Sequence, residues 1–516
     1  MTAPPAAGPE AAALHAPGRE AFADLARDHV VVPVWREVIA DLLTPLAVYA
    51  RLRDVGGPTF LLESVEHGER WGRYSFIGLK PFAEVVAAGS QVQVRGSLPR
   101  AVAEPVAAAA RSGDVLYTLD VLVSGLSTPR LEGLPPLFAG AVGYLGWDVV
   151  HCIEDLPRTT TDDLGLDDVR LLLPGQIIAF DHLRQRLIVV TNVVVDPDAD
   201  ADRLAVQYQE AVDASEALVQ RLAQPLAVVP SAPPRTPVVT DADSTMRPEE
   251  YRAAVEAAKE YIRAGDVFQV VPSQRLSLRT DVDPLSAYRV LRLINPSPYM
   301  YLFDWSDLQV VGSSPEALVT VAGRRASIWP IAGSRPRSDD PEADAALEAS
   351  LLADAKEQAE HVMLVDLARN DLGRVCEVGS VEVSGFMEVV RYSHIMHLRS
   401  TVSGRLRDDV GPLDVLRATF PAGTLSGAPK VRALEIIDEL EPTRRGLYGG
   451  GIGYIDLTGG MDLCITIRTV VFSGGRAHVQ AGAGVVADSV PQTELEETRH
   501  KAMALLAAVH AAGELQ

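Results

Sequence analysis

Hydrophobic positions along the chain form two recurring patterns, short runs typical of β-strands and longer stripes typical of helices. The stretch GQIIAFDHLRQRLIVVTNVVVD, residues 175–196, holds two β-rich runs around a polar turn and predicts a hairpin. Residues 199–224 then switch to helical periodicity. A second amphipathic helix is predicted over residues 248–264, with Gly265 as its C-terminal stop.

The C-terminal half mixes short, glycine-bounded strands with helical segments. Strands are predicted in LQVVGSSPEALVTVAG, GGGIGYIDL, DLCITIRTVVFSGG and RAHVQAGAGVVA, and helices around residues 341–372, 411–439 and 492–512. This order is not a regular alternation of strand and helix. It therefore predicts an α+β fold with large antiparallel sheets rather than a doubly wound parallel sheet.

One weak internal similarity stands out. FAGAVGYLGWD at residues 138–148 resembles YGGGIGYIDL at residues 448–457. It indicates either two related sheet halves or two similar glycine-rich turns.

Composition divides the chain into four predicted regions. Residues 1–20 are rich in alanine and proline and are interpreted as a disordered tail. The proline-rich stretch at residues 224–246 suits an exposed linker. It separates an N-terminal region at residues 21–223 from a larger domain at residues 247–516.

Charge and cysteine content narrow the class of protein. The 516 residues carry a net charge of −22, which argues against nucleic acid as a partner. The three cysteines are far apart and fit reduced thiols in the cytoplasm. Neither a signal peptide nor an apolar run long enough to span a membrane is predicted.

Two acidic pairs are the first candidates for chemistry. Glu494 and Glu497 lie three residues apart on one predicted helix, and Glu357 and Glu360 repeat the spacing on another. Each pair alone is expected to be a solvated helix face. If the two helices converged, their carboxylates would suit Mg²⁺, which keeps waters and binds anionic substrate oxygens.

Three further segments have both a structural and a functional interpretation. PIAGSRPR at residues 330–337 is either a surface turn or a rigid loop that brings donors to an anion. GAGVVADS at residues 482–489 is either a bulge or a place where the backbone approaches a ligand closely. Arg468, expected in an apolar strand, needs either an internal carboxylate or a bound anion.

Taken together, these segments resemble the chorismate-utilising enzymes and, within that family, the synthase components of anthranilate synthase. The resemblance rests on ordered stretches that include GDVFQVVPSQR, NPSPYMYLF, VVGSSPEALV, PIAGSRPR, EHVMLVDLARNDLGRV, YSHIMHLRS, FPAGTLSGAPK, CITIRT and GAGVVADSVPQTELEETRHKA. It covers nearly the whole chain apart from the tail and linkers. The fold implied is α+β, with large, mostly antiparallel β-sheets in a two-layer core and helices packed outside.

The resemblance implies that chorismate and ammonia give aminodeoxyisochorismate, which loses pyruvate to yield anthranilate. It implies Mg²⁺ on Glu360 and Glu497, with Glu357 and Glu494 acting through water. It implies Glu316 as the general acid and His397 as the residue needed for pyruvate loss. Expected substrate contacts are Gly333, Ser334, Tyr448, Arg468, Gly482, Ala483 and Gly484, with Ser334 also counted among the catalytic residues.

Two positions separate this chain from other members of the family. Ala332 stands where aminodeoxychorismate synthases carry a nucleophilic lysine, and Gln269 stands where salicylate and isochorismate synthases carry a lysine base. Both substitutions favour ammonia as the nucleophile. Ser334 departs from the threonine usual in the family; it keeps the hydroxyl and loses a methyl group.

The resemblance also implies regulation and a partner. Ser64, Pro298, Tyr299 and Met300 match the family's feedback pocket for L-tryptophan. The sequence shows no fused glutaminase, so the use of glutamine would need a glutamine amidotransferase subunit, with a heterotetramer of two large and two small subunits expected. The alternatives are another chorismate enzyme or a catalytically silent regulatory subunit.

Overall fold

The structure is a computed structural model, and it describes residues 14–64, 72–226, 232, 242–392 and 395–515. Residues 1–13 of the predicted tail, and 227–231 and 233–241 of the predicted linker, lie outside the described residues. Within the described residues the helices are α1 (Arg19–Leu25), α2 (Pro45–Leu52), α3 (Arg100–Ala110), α4 (Val115–Gly125), α5 (Ala201–Leu222), α6 (Pro248–Ala264), α7 (Pro284–Ile294), α8 (Pro341–Ala353), α9 (Ala355–Gly373), α10 (Pro412–Thr419), α11 (Lys430–Leu440) and α12 (Pro491–Ala512), with short 3₁₀ helices at Trp147–Cys152 and Gly513–Leu515.

The strands of the described residues are β1 (Val31–Ile39), β2 (Thr59–Glu63), β3 (Tyr74–Ala88), β4 (Gln91–Gly96), β5 (Gly140–Leu145), β6 (Val169–Asp181), β7 (Arg186–Val194), β8 (Asp243–Ser244), β9 (Gln269–Val270), β10 (Ser273–Arg279), β11 (Tyr299–Asp304), β12 (Gln309–Ser314), β13 (Ala317–Ala322), β14 (Arg325–Ile328), β15 (Ile331–Pro336), β16 (Glu382–Arg391), β17 (Ile395–Arg405), β18 (Gly427–Ala428), β19 (Gly451–Asp456), β20 (Met461–Ile465), β21 (Thr469–Ser473) and β22 (Arg476–Gly482).

Twenty of these strands form one hydrogen-bonded network, and β9 and β18 form a separate pair. The network divides at β3 and β6, which run through both parts. The first sheet has the order β1-β7-β6-β3-β2-β11-β12-β21-β22-β10-β8. The second has the order β4-β3-β6-β5-β19-β20-β13-β14-β17, and β15 and β16 also pair with β17.

The long strands β3 and β6 bend where they pass from one sheet to the other. Val169–Leu172 of β6 pairs with β5, whereas Gln176–Asp181 pairs with β7 along the same edge. Gly175 lies between these two halves of β6, close to Lys80 of β3. A Cβ on Gly175 would lie 2.5 Å from the Lys80 carbonyl oxygen, so only glycine fits where the two strands approach each other. The bend lets one network supply two layers.

Aromatic side chains fill the space between the two layers. Tyr144 of the second sheet meets Trp305 edge-on at 5.6 Å, and Phe76 of the first sheet meets Tyr454 at 6.2 Å. All pairings between the named strands are antiparallel. The predicted α+β fold with a two-layer antiparallel core is confirmed.

Most of the predicted elements are present, with two differences. The hairpin at residues 175–196 is β6 and β7, and the helix predicted over residues 248–264 is α6, closed by Gly265 with a φ of 86°. The single helix predicted at residues 341–372 is two helices, because the Asp354 carboxylate caps the N-terminus of α9. The helix predicted at residues 411–439 is likewise divided into α10 and α11.

The two similar glycine-rich segments are adjacent strands of one sheet. β5 and β19 pair antiparallel, with Gly143 directly opposite Gly453. A Cβ on Gly143 would lie 2.1 Å from the Arg170 carbonyl oxygen, and one on Gly453 would lie 2.2 Å from that of Asp462. The shared glycines therefore allow close strand packing on both sides of the pair.

The described part of the predicted tail begins with a short pairing. Ala16 exchanges backbone hydrogen bonds of 2.8 and 2.7 Å with Trp35 of β1, and α1 begins at Arg19. Strands from both sides of residues 224–246 pair with each other, as β2 does with β11 and β5 with β19. The four-region division stays a prediction.

Within the described ranges, none of the helices combines the length and the apolar character needed to cross a membrane.

We predict that Gly143→Ala lowers the free energy of unfolding by about 2–4 kcal/mol, because the new methyl group overlaps a backbone carbonyl that cannot move freely. Urea denaturation monitored by circular dichroism measures the change. Gly18→Ala is the matched control, since a Cβ there has no atom within 4 Å. An equal stability of the two variants would contradict the close-packing interpretation.

Candidate functional site

A cavity of about 570 Å³ gathers most of the predicted site residues. Its walls come from β15, β17, α9, α12, the end of β22, and the connections β12–β13 and β20–β21. Twelve of the thirteen predicted metal, substrate and catalytic residues line it, together with Gln269 and Ala332. The twelve are Glu316, Gly333, Ser334, Glu357, Glu360, His397, Tyr448, Arg468, Gly482, Gly484, Glu494 and Glu497, and the thirteenth, Ala483, is not part of the lining.

Ala483 does not belong to the lining of this cavity, and its predicted contact with the substrate stays a prediction. Its side chain is fully buried, and its backbone N–H donates to the Pro272 carbonyl at 3.3 Å. Gly484 beside it is constrained by packing, since a Cβ would lie 2.5 Å from Nε2 of Gln269. The glycine segment thus brings its backbone against Gln269 and leaves Gly482 and Gly484 at the cavity wall.

The segment PIAGSRPR is a bulged strand, not the loop that the sequence predicts. It forms β15, whose register against β17 shifts between Ala332 and Arg335. Gly333 in the bulge has a φ of 68°, and a Cβ there would lie 3.1 Å from Oε2 of Glu357. The bulge therefore exposes the Gly333–Ser334 backbone beside an acidic side chain.

The two arginines of this segment hold the strand to the neighbouring helices. Arg335 donates to Asp354 at 2.8 Å, and Arg337 donates to Asp344 at 2.9 Å and to the Tyr392 carbonyl at 2.8 Å. Their carboxylate partners come from α8 and the start of α9. These guanidinium groups are thus committed to protein carboxylates.

His397 on β17 is held in one tautomer by the same bulge. Its Nδ1 lies 2.6 Å from the Gly333 carbonyl oxygen, which can only accept, so Nδ1 carries the proton. Burial lowers the pKa of His397, and the positive charge of Arg468 lowers it further. The ring is therefore neutral near pH 7, with the lone pair on Nε2 free to accept a proton.

Glu316 lies in the connection between β12 and β13. Burial raises the pKa of its carboxyl to about 8, although the Thr424 hydroxyl, donating to Oε1 at 3.1 Å, lowers it. Below that pH the group is a protonated acid facing the cavity. Such a carboxyl suits proton donation to a leaving group.

Arg468 lies in the connection between β20 and β21 rather than within a strand, and its φ of 51° is unusual for a non-glycine residue. Burial lowers the pKa of its guanidinium, partly offset by Tyr448 and Glu497. In the described part of the chain its guanidinium has neither a hydrogen bond nor an ion pair. A partly buried, unpaired cation of this kind requires an anion.

Tyr448 lies beside Arg468 with its hydroxyl at the end of β22. A Cβ on Gly482 would lie 2.9 Å from that hydroxyl oxygen, so the tyrosine and the glycine are in close contact. Burial raises the pKa of Tyr448 to about 12, and it stays a hydrogen-bond donor at neutral pH. Together with Arg468 it forms a donor-rich wall of the cavity.

The two acidic pairs face the same cavity from different helices. Burial raises the pKa of Glu360, and the neighbouring Glu357 carboxylate raises it further. Glu494 likewise has a raised pKa, through burial and the charge of Glu497. Lys501 donates to Glu497 at 2.5 Å. The remaining mutual repulsion of the carboxylates is what a divalent cation would relieve.

The donor set fits Mg²⁺, which prefers carboxylate oxygens. Among the residues that the structure describes, however, no three His, Cys, Asp or Glu side chains are already gathered for metal coordination. The helices bring the four glutamates to one cavity, and the final arrangement of their oxygens would depend on side-chain rotation.

A second cavity, of about 140 Å³, lies between the two layers. Its lining includes all four residues predicted for the effector: Ser64, Pro298, Tyr299 and Met300. The Ser64 hydroxyl is buried and has no hydrogen-bond partner in the described residues. The Tyr299 hydroxyl donates to the Asp462 carboxylate at 3.0 Å.

Several lining residues were not foreseen from the sequence. Thr424, Lys501 and Gln480 line the larger cavity, and Asp462 and Tyr454 line the smaller one. Thr424 lies inside the matched stretch FPAGTLSGAPK, which could have pointed to it, whereas Asp462 lies two residues before the matched stretch CITIRT. Gln480 lies in an ordinary alternating strand, where the sequence carries no comparable signal.

Comparisons with known proteins agree on one family. The family model described as chorismate binding enzyme matches residues 58–507. Anthranilate synthase component 1 of Mycolicibacterium smegmatis is 47% identical over 503 residues, covering 96% of this chain and 94% of the relative. The same component of Arthrobacter globiformis is 46% identical over 506 residues, covering 97% and 94%.

Solved structures give the same result. Anthranilate synthase component I from Streptococcus pneumoniae is 34% identical, with a TM-score of 0.74 over 91% of this chain and 98% of that one. The menaquinone-specific isochorismate synthase of Escherichia coli shares the fold at 18% identity, with a TM-score of 0.65 over 95% of this chain and 98% of the other.

Proposed function

The chain belongs to the family of chorismate-binding enzymes, and we propose that its large cavity converts chorismate and ammonia to anthranilate and pyruvate. The named relatives and the related solved structure support this reaction. The single observation that carries it is the grouping of an unpaired guanidinium, four carboxylates, a protonated carboxyl and a neutral imidazole around one cavity. Each group has a separate task in that reaction.

Binding of the dianionic substrate uses the donors. Arg468 captures a carboxylate of chorismate through its unpaired guanidinium, and Tyr448 donates from the same wall. The backbone N–H groups of Gly333, Gly482 and Gly484 and the Ser334 hydroxyl supply further donors along the glycine-lined side. Ser334 is exposed and takes part by orienting the substrate.

Glu360 and Glu497 would hold Mg²⁺, with Glu357 and Glu494 supporting through water. When bound, the metal supplies positive charge that neutralises the ring carboxylate of the substrate. The enzyme is then a Mg²⁺-dependent carbon–oxygen lyase.

Two proton transfers follow from the positions of Glu316 and His397. Ammonia adds to the ring as the C4 hydroxyl leaves, and Glu316 donates its proton to that hydroxyl so that water departs. In the intermediate, aminodeoxyisochorismate, the ring C–O bond to the enolpyruvyl group then breaks while His397 Nε2 accepts the ring proton, and that proton passes to the methylene carbon of the departing enolate to give pyruvate. The hydrogen bond from Nδ1 to the Gly333 carbonyl keeps Nε2 available for that step.

The choice of ammonia over other nucleophiles rests on Ala332 and Gln269. Ala332 is buried and offers no nucleophilic atom to the ring. Gln269 is buried beside Glu360 and cannot deprotonate water as a lysine would. Both favour a nucleophile that needs no activation.

L-tryptophan is the proposed ligand of the smaller cavity. Hydrogen bonds connect the strands around it to Glu316: Tyr299 pairs opposite Ser314, whose hydroxyl donates to the Ile465 carbonyl at 2.7 Å. Ile465 in turn donates its N–H to the Glu316 carbonyl at 3.0 Å. A ligand that favours one arrangement of these strands would change the affinity for chorismate.

Ammonia for this reaction comes from a glutamine amidotransferase subunit, in keeping with the component naming of the relatives. We place the pair in the cytoplasm as a heterotetramer of two large and two small subunits. Neither nucleic acid nor a membrane has a role in this proposal.

The purified chain with chorismate, Mg²⁺ and ammonium is expected to form anthranilate, followed by its fluorescence, and EDTA is expected to stop it. Glu360→Gln should abolish both turnover and the rise in Tm that Mg²⁺ gives the unaltered chain. Glu496→Gln, an exposed neighbour on α12 that lies outside the cavity lining, is the matched control. Salicylate, isochorismate or aminodeoxychorismate as product would contradict the assignment, and an inactive chain would favour a silent regulatory subunit.

Glu316→Gln is expected to lower kcat by about 10²–10⁴-fold, since it removes the proton donor. In the unaltered chain, kcat should fall as the pH rises through about 8, because the acid form of Glu316 is lost there. Thr424→Val should move this basic limb to higher pH, because the hydroxyl that stabilises the carboxylate is gone. If the basic limb of the kcat profile did not move in Thr424→Val, the group that titrates there would not be Glu316.

Tryptophan is expected to inhibit anthranilate formation, and Ser64→Ala should raise the required concentration roughly threefold to tenfold, the worth of one hydrogen bond. Ser215→Ala is the control, because Ser215 also has a buried hydroxyl with no partner in the described residues but lines neither of these cavities. Turnover that is unchanged at saturating tryptophan would rule out the effector site.

A further inference from the structure

A third cavity, of about 20 Å³, lies directly behind the catalytic one and shares Tyr448 and Gln480 with it. Its floor is the face of β10, β21 and β22, where Arg275 and Gln480 are directly opposite in register. Thr466 and Leu447 close it from the other side, and Leu164 and Leu166 cover it toward the surface. A cavity needs only about 10–15 Å³ to hold one water-sized molecule.

Three residues around this small cavity have a buried polar atom without a partner in the described part of the chain. These atoms are Nε of Arg275, Oγ1 of Thr466 and Oε1 of Gln480. Thr466 is fully buried and Arg275 is 4% exposed. Leaving such groups without a hydrogen-bond partner destabilises the folded chain. Three of them around one cavity therefore point to a bound molecule.

The orientation of the Gln480 amide is fixed by its neighbours. The Ser273 hydroxyl donates to the Glu441 carboxylate at 2.9 Å, so its oxygen must accept from Nε2 of Gln480, also at 2.9 Å. Glu441 itself is held by a buried ion pair with Arg445 at 2.6 Å. Oε1 of Gln480 is therefore an acceptor that has no donor among the described residues.

The position of Thr466 is equally fixed. Its N–H donates to the Gly450 carbonyl at 2.9 Å, and its carbonyl accepts from Gly449 at 3.0 Å. These two bonds fix the backbone of Thr466, and its hydroxyl is buried without a partner in the described residues. The site is thus built from one donor, Arg275 Nε–H, and two groups able to accept.

The charge of the surroundings selects a neutral molecule. Arg275 and Arg445 both line the cavity, and burial, together with Arg275, lowers the pKa of the adjacent His478 to about 4, so that histidine is uncharged. The guanidinium of Arg275 is already paired with Asp163 and that of Arg445 with Glu441, so no free carboxylate lies in the lining to balance an ammonium ion. Ammonia has one lone pair for Arg275 and N–H groups for Thr466 and Gln480.

We propose that this cavity holds one ammonia molecule beside the catalytic cavity, bound by Arg275, Thr466 and Gln480, and delivers it past Tyr448 and Gln480. The inference rests on the proposed function, because ammonia is the nucleophile of that reaction. Water has similar hydrogen-bonding chemistry and would fill the same space, so the test must separate the two.

Thr466→Val removes the hydroxyl at nearly constant shape and is expected to raise the KM for ammonium roughly threefold to tenfold, the size of one net hydrogen bond. The KM for chorismate should stay within about twofold, a change smaller than one net hydrogen bond produces. Thr466→Ser, which keeps the hydroxyl, should restore the ammonium KM. Thr118→Val is the matched control, because Thr118 is as deeply buried but lines none of the three cavities.

An unchanged ammonium KM in Thr466→Val would overturn the proposal, as would an equal rise in both KM values. A lower Tm of Thr466→Val with both KM values unchanged would indicate a structural water only, and this too overturns it. Should Thr466→Val not fold, Thr466→Ala removes the same hydroxyl without adding bulk.

A binding measurement keeps the site testable without turnover. At alkaline pH and constant ionic strength, ammonium chloride in place of sodium chloride should raise the Tm of the unaltered chain and of Thr118→Val, and should not raise that of Thr466→Val. If the unaltered chain forms no anthranilate, the proposed function fails, while this comparison still decides the site. Equal Tm responses in all variants would overturn it.

Discussion

The two strands β3 and β6 set the geometry on which the rest of the structure depends. Because each strand belongs to both sheets, the layers cannot shift independently. The spacing between the layers is fixed where Gly175 of β6 packs against the backbone of Lys80 in β3. The proposed substrate and effector cavities each take side chains from both layers: the effector cavity uses β11 and β20, and the substrate cavity uses β22 and β15. A ligand in either one therefore acts on a rigid frame that it shares with the other.

The larger cavity is the place where this frame leaves charges uncompensated. Arg335 and Arg337 are fully engaged with carboxylates nearby, yet Arg468 has no such partner among the described residues, and Glu360 is crowded by Glu357. A fold selected for stability alone would pair or remove these groups. The proposed substrate would bring an anion for the guanidinium, and the proposed Mg²⁺ would bring a cation for the carboxylates.

Much of this was accessible from the sequence, for identifiable reasons. The three-residue spacing in each acidic pair fixes one helix face, so the lining by Glu357 and Glu360 follows from helix geometry once α9 is placed. The hairpin of β6 and β7 and the end of α6 at Gly265 are local features, set by hydrophobic alternation and by a left-handed glycine. Features that tertiary contacts decide had no such local signal. The bulge in β15 depends on its register against β17. The Nδ1 hydrogen bond that fixes His397 joins residues 64 positions apart, so its tautomer had no local signal.

The buried ion pair between Glu441 and Arg445 is better understood as an orienting device than as a source of stability. Burying two charges costs about as much as their attraction returns, so such a pair is weak evidence for stabilisation. Its geometry has other consequences. Arg445 stacks on Trp147 at 4.2 Å and on Tyr448 at 5.5 Å, and Glu441 directs the Ser273 hydroxyl that orients Gln480. Trp147 comes from the N-terminal region, whereas Tyr448 and Gln480 line the catalytic cavity. The Glu441–Arg445 pair therefore joins the N-terminal half to the cavity wall formed by Tyr448 and Gln480 through directional contacts. A wholly apolar replacement of similar volume could keep the packing but would lose the orientation of these two side chains.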